Sequence, residues 1–407
     1  MKCRHCHAPL TLQFADLGSA PPSNAYLTPD GLRRAERWYP LRVLACTSCW
    51  LVQTEDYAGA NDIFTDDYAY FSSYSQSWLD HARRYVTMMI DRFRLNERSL
   101  VVELAANDGY LLQFVKAAGI PCIGVEPTAS TAESARAKGI EIIQDFFGRR
   151  LARAMADHGQ HADVIAANNV LAHVPDINDF VGGVSLLLKP NGVATFEFPH
   201  FLNLVANGQF DTIYHEHYSY LSLTAVRGIF ACNGLDIFDV EELPTHGGSL
   251  RVYGQPLSGS RNRSPAVDVV LKRENHAGIT SQTYYADFQR RIDAVKNQFL
   301  RFLLDTKKEG KSVAAYGAAA KGNTLLNYAG VRPDLLPFVV DMNPAKQGNY
   351  LPGSRIPVLS VDAMYEQRPD YVVILPWNLR DEIMTTLAPV RQWGAKFVTA
   401  IPELSVA

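Results

Sequence analysis

The chain has 407 residues, 47% hydrophobic and 20% charged, which describes a folded globular protein with two or three domains. Its net charge of -3 gives no basic field for nucleic acid or a membrane, and no apolar run approaches the roughly 18 residues of a membrane span. The first residues lack the apolar stretch of a signal peptide, so we expect a cytoplasmic protein, and three domains suit a monomer.

Four of the six cysteines form two Cys-x-x-Cys pairs: Cys3/Cys6 and Cys46/Cys49. Two such pairs present four thiolates to one tetrahedral centre, so we predict one structural zinc ion. A closed set of four ligands leaves no open position for a substrate. The alternatives are disulfides, which a reducing compartment disfavours, and a redox dithiol, which would not need two pairs. The remaining cysteines, Cys122 and Cys232, lie in apolar surroundings and are predicted to be buried.

A tyrosine-rich segment over residues 57–77 follows the cysteines and contains Tyr68 and Tyr70. Such a segment is either a packed connector or a lid that presents phenol groups to a pocket, and the sequence leaves both interpretations open. Apolar residues at intervals of three and four then predict a helix over 76–93.

Strands and helices alternate from residue 99 onward, which predicts a mainly parallel, doubly wound α/β sheet. Its predicted strands are 99–104, 122–125, 141–143, 162–166 and 192–198, the last preceded by a turn over 189–192. A long helix over 281–308 then leads to three more strands, 313–317, 336–341 and 371–375. The predicted domains are therefore a cysteine module (1–65), a central α/β domain (66–280) and a smaller Rossmann-type domain (281–407).

The carboxyl ends of the central strands carry the polar and small residues that a ligand needs, since ligands of doubly wound sheets bind at this edge. These candidate cofactor residues are Glu103, Ala105, Asn107, Gly109, Glu126, Pro127, Asp145, Phe146, Asn168 and Asn169. The small residues of the first turn let backbone amides approach a ligand at a helix N-terminus.

Each strand end suggests a separate role in holding S-adenosylmethionine. Glu126 can accept hydrogen bonds from both ribose hydroxyls. Asp145 and Phe146 can recognise and cover the adenine, and Asn168 with Asn169 can hold the amino-acid end. A complete glycine fingerprint is missing, which disfavours a dinucleotide in this domain.

Residues 212–220 concentrate proton-transfer groups: two imidazoles, a carboxylate and three phenols lie within nine residues. General-base chemistry by histidine fits this composition, because a neighbouring Glu or Tyr can orient the ring or stabilise an oxyanion. A metal site is the alternative, although the His-Glu-His order lacks the i, i+4 spacing of helical metal ligands. His173 follows the fourth strand on the same edge and is a second candidate.

A polar loop over residues 246–251 contains His246, Gly247, Ser249 and Arg251. Its glycines expose backbone amides and the arginine offers a planar fork, which suits an anion or a sugar. A plain turn before the strand at 250–253 is the structural alternative.

These motifs together resemble the nucleotide-sugar C-methyltransferases, the C-3' methyltransferases of branched deoxysugar biosynthesis. The resemblance rests on the paired cysteines and on five further motifs in the same order: Tyr68–Ser73, Asn107–Leu112, Tyr214–Tyr220, His246–Arg251 and Tyr316–Asn323. It implies a zinc module, a Rossmann-type S-adenosylmethionine domain and a C-terminal Rossmann-like domain that helps to bind the nucleotide sugar. The family methylates C3, or in some members C5, of dTDP-linked 4-keto-6-deoxy sugars.

The resemblance also implies roles for single residues. His217 would be the general base, and Tyr214 and Glu216 would hold the substrate and its enolate. His173 and the tyrosine at 68 or 70 would contribute. The substrate-binding residues would be His246, Gly247, Ser249, Arg251, Tyr316, Lys321 and Asn323. One departure is the alanine pair at 105–106, where relatives often carry glycine or serine.

Two other classes of protein remain as alternatives. An NAD(P)-dependent nucleotide-sugar oxidoreductase would use the C-terminal domain, where Gly317, Gly322 and Asp341 imitate an incomplete dinucleotide turn and its ribose acid. A non-catalytic scaffold with a zinc ribbon is the second, and the dense proton-transfer cluster argues against it.

Overall fold

The computed structural model describes residues 1–57 and 71–407. Its strands are β1 (Leu12–Ala20), β2 (Tyr39–Ala45), β3 (Val52–Thr54), β4 (Val101–Leu104), β5 (Cys122–Val125), β6 (Glu141–Ile143), β7 (Ala162–Asn168), β8 (Leu188–Pro199), β9 (Ser219–Tyr220), β10 (Leu235–Leu243), β11 (Ser249–Pro256), β12 (Val313–Tyr316), β13 (Val339–Val340), β14 (Val358–Leu359), β15 (Tyr371–Ile374), β16 (Lys396–Thr399) and β17 (Ser405–Val406).

The α-helices of these ranges are α1 (Gln76–Phe93), α2 (Leu112–Ala117), α3 (Ala129–Ala137), α4 (Arg149–Asp157), α5 (Ile177–Leu187), α6 (Phe201–Ala206), α7 (Leu223–Cys232), α8 (Pro265–Ala277), α9 (Phe288–Lys308), α10 (Ala320–Tyr328), α11 (Asp362–Gln367) and α12 (Arg380–Thr386). None of them combines the length and the apolar character that a membrane crossing requires. The strands form three sheets.

The first sheet is antiparallel and has the strand order β1-β2-β3-β9. Three of its strands come from the N-terminal region, whereas β9 is a dipeptide at the end of the histidine-rich segment. Val52 in β3 pairs with Tyr220 in β9, and Thr54 Oγ1 donates to the backbone oxygen of His217 (3.2 Å). The N-terminal region therefore holds the backbone that carries His217.

The central sheet has the order β10-β11-β8-β7-β4-β5-β6. The five strands from β8 to β6 are parallel, and β11 and β10 are antiparallel additions at one edge. β4 is buried throughout, because helices cover both faces of a parallel sheet. The parallel order places the carboxyl ends of β4, β5, β6 and β7 along one edge, which confirms the predicted doubly wound α/β core.

The third sheet has the order β14-β13-β12-β15-β16-β17, and only β17 is antiparallel. The chain reverses its direction of strand addition between β12 and β15, which is where doubly wound sheets bind ligands. One apolar core joins Phe288 of α9 to Phe14 of the first sheet and Phe210 of the central region. The two domain boundaries given by the sequence remain predictions.

The predicted turn over 189–192 is wrong, because these residues lie within β8. Ala162 of β7 pairs with Leu188 of β8, and the next pair is Val164 with Val193, so β8 has more residues between the two pairs than β7 has. The additional residues of β8 form a bulge, which accommodates the proline and glycine of this stretch inside a strand.

The predicted long helix begins later than expected, at Phe288. Before it, Gln282–Tyr285 form a separate 3-10 turn. Tyr285 is buried and its hydroxyl donates to the Ile279 carbonyl (2.7 Å), which fixes this turn away from the axis of α9.

The four predicted zinc ligands lie together, with their Sγ atoms all within 4.8 Å of one another. Cys3 is 3.5 Å from Cys49 and Cys6 is 3.5 Å from Cys46, measured between Sγ atoms. A disulfide needs about 2.0 Å between its sulfur atoms, so none is present here. Four thiolates at about 2.3 Å from a zinc ion would be roughly 3.8 Å apart, so this cluster fits zinc.

Removal of one thiolate is expected to abolish zinc binding and to destabilise the N-terminal region, because a structural zinc site contributes directly to the free energy of folding. Cys46→Ser removes a ligand with 0% exposure. Purified protein should then lose its zinc, measured by atomic emission, and its thermal midpoint should fall.

Cys232→Ser is the control for this variant. Cys232 is exposed and Cys122 half-buried, so the predicted burial of these two cysteines is wrong. Equal zinc content in wild type and Cys46→Ser would contradict the four-sulfur site.

Candidate active site

The turn after β4 has a backbone conformation that exposes its amides. Ala105, Asn107 and Gly109 have φ angles of 56°, 50° and 75°. Positive φ strains residues other than glycine, and such strain is concentrated at functional turns. Gly109 also has no room for a side chain, because a Cβ would lie 2.4 Å from Ile140 Cδ1.

Glu126 supports this turn from the end of β5, where Pro127 follows it. One carboxylate oxygen accepts the N–H of Asn107 (2.9 Å), and the other accepts the N–H of Thr128 (2.9 Å). Burial raises the pKa of Glu126, and these two donors oppose the rise. Each carboxylate oxygen retains a lone pair with which to accept a ribose hydroxyl.

Buried polar atoms without a partner in the described ranges lie at the same edge. They are Glu103 Oε2, Asn168 Oδ1, and Oδ1 and Nδ2 of Asn169. Buried groups of this kind cost free energy unless a ligand or water pairs with them. Burial, with the charges of Asp108 and Glu126, raises the pKa of Glu103 well above its usual value. Mutually repelling carboxyl groups favour a cationic ligand, so the residues fit S-adenosylmethionine.

Asp145 and Phe146, the predicted adenine contacts, follow β6. The Asp145 carboxylate accepts from Arg150 (2.5 Å) and from the N–H of Phe146 (2.8 Å). The Phe146 ring is 44% exposed. An exposed aromatic ring at this edge is available to cover a base, and the adenine assignment stays a prediction.

The described end of the tyrosine-rich segment also contacts the turn after β4. The N–H of Ser72 donates to Asn107 Oδ1 (2.9 Å), and Lys138 Nζ donates to Ser73 Oγ (2.9 Å) and to the Asp108 backbone oxygen (2.6 Å). Lys138 was not among the predicted site residues, because no local sequence pattern links it to a turn 30 residues earlier in the chain. Tyr68 and Tyr70 lie outside the described residues.

The imidazole of His217 is held with a defined tautomer. Its Nδ1 lies 2.7 Å from the Thr212 carbonyl, which can only accept, so Nδ1 carries the proton. Burial lowers the pKa of His217 well below its usual value, and the charge of His173 lowers it further. The ring is therefore neutral, and its Nε2 lone pair accepts from the Tyr214 hydroxyl (2.8 Å). A neutral imidazole with a directed lone pair is what a general base requires.

Glu216 precedes His217 in the chain, and the imidazole of His173 lies beside that of His217. Glu216 Oε1 accepts from the backbone and side-chain nitrogens of Asn24 (3.2 and 3.1 Å), whereas Oε2 is buried with no partner in the described chain. Burial raises the pKa of Glu216. His173 Nδ1 donates to the Glu216 carbonyl (2.8 Å), and its ring centroid is 4.6 Å from that of His217. The structure thus brings together His217, Tyr214, Glu216 and His173.

The loop at 246–251 contributes His246 and a glycine turn to the same region. His246 has a φ of 55°, and its ring centroid lies 5.2 Å from that of Trp78 on α1. Burial lowers the pKa of His246 to about 4, and Lys321 also lowers it. The Gly247 carbonyl accepts from Gln209 Nε2 (2.9 Å).

Two predicted substrate residues of this loop have internal partners instead. Arg251 is 4% exposed, and its guanidinium forms ion pairs with Glu197 (2.6 Å) and Glu241 (2.9 Å). Ser249 is buried and donates to the Thr245 carbonyl (2.9 Å). A guanidinium that is already paired with two carboxylates is not available to a bound anion, so Arg251 has no substrate-binding role in the proposal below.

Residues of the C-terminal domain reach the same region through the N-terminus of α10. Lys321 Nζ donates to Asn378 Oδ1 (2.7 Å), and its charge lowers the pKa values of both His217 and His246. Asn323 Nδ2 donates to the Ser23 carbonyl (2.6 Å), and its Oδ1 has no partner in the described chain. Tyr316 differs from both, because it is buried in the core of its own domain, and burial raises its pKa to about 12.

Asp341, the acid of the oxidoreductase alternative, supports the turn after β12. Its carboxylate accepts the N–H groups of Ala318 (2.7 Å) and Asn343 (2.8 Å), and Lys346 Nζ is 3.7 Å away. These contacts leave the acid engaged with its own turn, which does not favour a ribose-binding role.

Comparison with protein families matches three parts of the chain. Residues 3–64 match a family described as a proposed zinc binding domain, residues 78–240 a methyltransferase domain, and residues 244–402 a C-methyltransferase C-terminal domain. The last range begins before the predicted boundary at residue 281.

One curated relative matches nearly the whole chain. C-methyltransferase NovU of Streptomyces niveus is 34% identical over 402 residues, which is 99% of this chain and 96% of NovU. A ubiquinone biosynthesis O-methyltransferase of Bartonella quintana is 21% identical over 42% of this chain and 71% of its own length.

Two solved structures resemble part of this chain. Magnesium protoporphyrin IX methyltransferase of Synechocystis PCC 6803, with bound S-adenosylmethionine, has a TM-score of 0.34 and 15% identity and covers 43% of this chain and 78% of its own. An S-adenosylmethionine-dependent methyltransferase of Mesorhizobium loti also has a TM-score of 0.34 and 15% identity, with 43% and 99% covered.

The buried histidines make the stability of the protein dependent on pH. Burial lowers the pKa of His173 from its usual value of 6.5 to about 4. A depressed histidine contributes stability above pH 6.5 that is lost as the pH falls toward 4, because the unfolded chain takes up the proton first. His173→Asn should reduce the loss of unfolding free energy across this window, by at most about 1.4 kcal/mol per pH unit.

Denaturant unfolding at several pH values measures this difference. His161→Asn is the control, since His161 is exposed. An identical pH slope in wild type and His173→Asn would contradict the burial of a neutral ring.

Proposed function

The chain belongs to the C-methyltransferase family of NovU, and from this premise we propose that it transfers a methyl group from S-adenosylmethionine to carbon C3 of a dTDP-linked 4-keto-6-deoxy sugar. The observation that carries the proposal is the hydrogen-bonded series Tyr214–His217–Thr212, which holds a neutral imidazole in a fixed tautomer. A proton next to a ketone is acidic enough for such a base.

The cofactor site is the carboxyl edge of the central sheet. The strained turn at 105–109 and Glu126 would hold the adenosine. Asn168 and Asn169, whose buried polar atoms include some without a partner in the described chain, would hold the amino-acid end. When bound, S-adenosylmethionine supplies an electrophilic methyl group. The contribution of the protein is orientation and charge stabilisation, and the methyl transfer itself needs no metal.

His217 would remove the proton from the sugar carbon through Nε2. This lone pair accepts from the Tyr214 hydroxyl, so the substrate would have to displace that hydroxyl. The C–H electrons then form the enolate, and the proton moves to Nε2. Thr212 stabilises the resulting imidazolium, because its carbonyl already accepts from Nδ1.

Tyr214 and Glu216 would stabilise the enolate oxygen. The displaced Tyr214 hydroxyl would donate a hydrogen bond to it. Burial raises the pKa of Glu216, which favours the protonated carboxyl group, and its Oε2 would donate in the same way. Neutral donors placed in a buried site stabilise a developing oxyanion more strongly than water does.

The base and the methyl donor would act from opposite faces of the sugar. Deprotonation on one face and methyl addition on the other invert the configuration at carbon. Lys321 and Asn323, with the loop of His246 and Gly247, would bind the nucleotide sugar from the C-terminal side. NAD(P)-dependent oxidation remains the weaker candidate, because Asp341 is engaged with its own turn.

The donor assignment predicts that the protein binds S-adenosylhomocysteine and not NAD in a calorimeter. Glu126→Ala should weaken S-adenosylhomocysteine binding at least about tenfold, because it removes charged hydrogen bonds to the ribose and to the turn. Glu133→Ala is the control, since Glu133 is an exposed acid on the adjacent helix α3. Binding of NAD alone would refute the donor assignment.

The acceptor assignment predicts methyl incorporation into one or more members of a panel of 4-keto nucleotide sugars incubated with methyl-labelled cofactor. Mass spectrometry reports the acceptor and carbon methylation together. His217→Gln should reduce the rate about 10²–10⁴-fold, the usual contribution of a general base, while S-adenosylhomocysteine binding is retained.

The control for this variant is His215→Gln. His215 lies in the same segment, but its Nε2 faces the Pro40 carbonyl of the N-terminal sheet (3.2 Å). Full activity in His217→Gln would remove the base assignment, and a product with retained configuration would exclude a single base.

A further inference from the structure

The tautomer of His217 depends on one backbone carbonyl. Thr212 lies in the 3-10 turn Phe210–Thr212, and its carbonyl oxygen is 2.7 Å from His217 Nδ1. In a neutral imidazole, the hydrogen bond at one ring nitrogen decides which nitrogen carries the lone pair. A rotated peptide at Thr212 would let the proton move to Nε2, and the base would lose its lone pair toward the substrate.

Two side chains of the C-terminal domain hold the residues on either side of Thr212. Trp377 Nε1 donates to Asp211 Oδ2 (2.7 Å), and Thr324 Oγ1 donates to the Ile213 carbonyl (2.9 Å). Asp211 is 1% exposed and Thr324 is 2% exposed. These buried hydrogen bonds restrain the peptide from both directions.

The central domain itself restrains this turn mainly through local contacts. Thr212 N–H and Oγ1 both donate to the Gln209 carbonyl (3.2 and 2.7 Å), and the Ile213 N–H donates to the Phe210 carbonyl (2.9 Å). Such contacts close the turn but do not fix its orientation in the domain. Trp377 adds packing as well, since a Cβ on Gly247 would lie 2.4 Å from its ring.

The two restraining residues come from the ligand-binding edge of the third sheet. Thr324 lies on α10, which follows β12, and Trp377 follows β15. Lys321 connects the two elements, because its Nζ donates to Asn378 (2.7 Å) and lies 4.8 Å from the centre of the Trp377 ring. The C-terminal domain therefore contacts the turn at Phe210–Thr212 through the edge of its sheet at which a ligand of that domain would bind.

We propose that Thr324 and Trp377 are positioning residues that fix the peptide of Thr212 and thereby the Nδ1–H tautomer of His217. The C-terminal domain then does more than bind the nucleotide sugar, because it completes the catalytic base. This inference rests on the proposed function of His217 as the base.

Thr324→Val tests the proposal most directly, because it removes the hydroxyl and keeps the shape of a buried side chain that faces the backbone. Thr324→Ser restores the hydroxyl and is the conservative rescue. Trp377→Phe removes the second restraint. Trp393→Phe is its matched control. Trp393 Nε1 donates a hydrogen bond too, but to the Pro369 carbonyl within the C-terminal domain (3.0 Å).

The readout is the nitrogen NMR spectrum of full-length protein with ¹⁵N-labelled histidine, in which the His217 signals are those missing in His217→Gln. In Thr324→Val and Trp377→Phe the Nε2 signal should shift toward the protonated position, and kcat on the sugar found in the panel should fall about 10²-fold. Thr324→Ser and Trp393→Phe should match wild type in both measurements.

Unchanged His217 signals in both Thr324→Val and Trp377→Phe overturn the proposal, whatever happens to activity. Thermal midpoints identify a variant that fails to fold, and the other variant then decides. The tautomer is measured without substrate, so this result is independent of the acceptor. Full activity of His217→Gln would instead overturn the proposed base.

Discussion

The hydrogen bond from His217 Nδ1 to the Thr212 carbonyl is the constraint on which the site depends. All three parts of the chain hold the backbone around it. The N-terminal sheet pairs with β9 and binds the His217 carbonyl through Thr54, while the C-terminal domain binds the residues beside Thr212. Among the described residues, the position of His217 therefore depends on all three parts of the chain rather than on one domain.

Burial and charge together keep the imidazoles of this site neutral. Desolvation lowers the pKa values of His173, His217 and His246, and Lys321 lowers the last two further. The same low dielectric raises the pKa of Glu216. Both shifts favour the uncharged forms, and an uncharged imidazole is the form that can accept a proton.

The sequence predicted those features that depend on neighbouring residues, such as single strands and the cysteine pairs. The cysteine spacing gave the four-sulfur cluster, and the apolar runs gave β5 and β6 with their observed bounds. Partners distant in the chain were not predictable in this way. The sequence around Arg251 does not indicate that Glu197 lies against its guanidinium. The two residues of β9 are too few to show a strand pattern. The roles of the strand-end residues are still predictions, because position at an edge does not show what binds there.

The pairing of β3 with β9 has a consequence for how this family can be rebuilt. Catalytic cores of modular enzymes are often exchanged between chains as cassettes. Here an exchanged segment that comprised only the central domain would lose the pairing of β9 with β3. It would also lose the hydrogen bond from Trp377 to Asp211, close to His217. Chimeras that alter acceptor choice should therefore be joined within surface loops, with the N-terminal strands and α10 taken from the same parent.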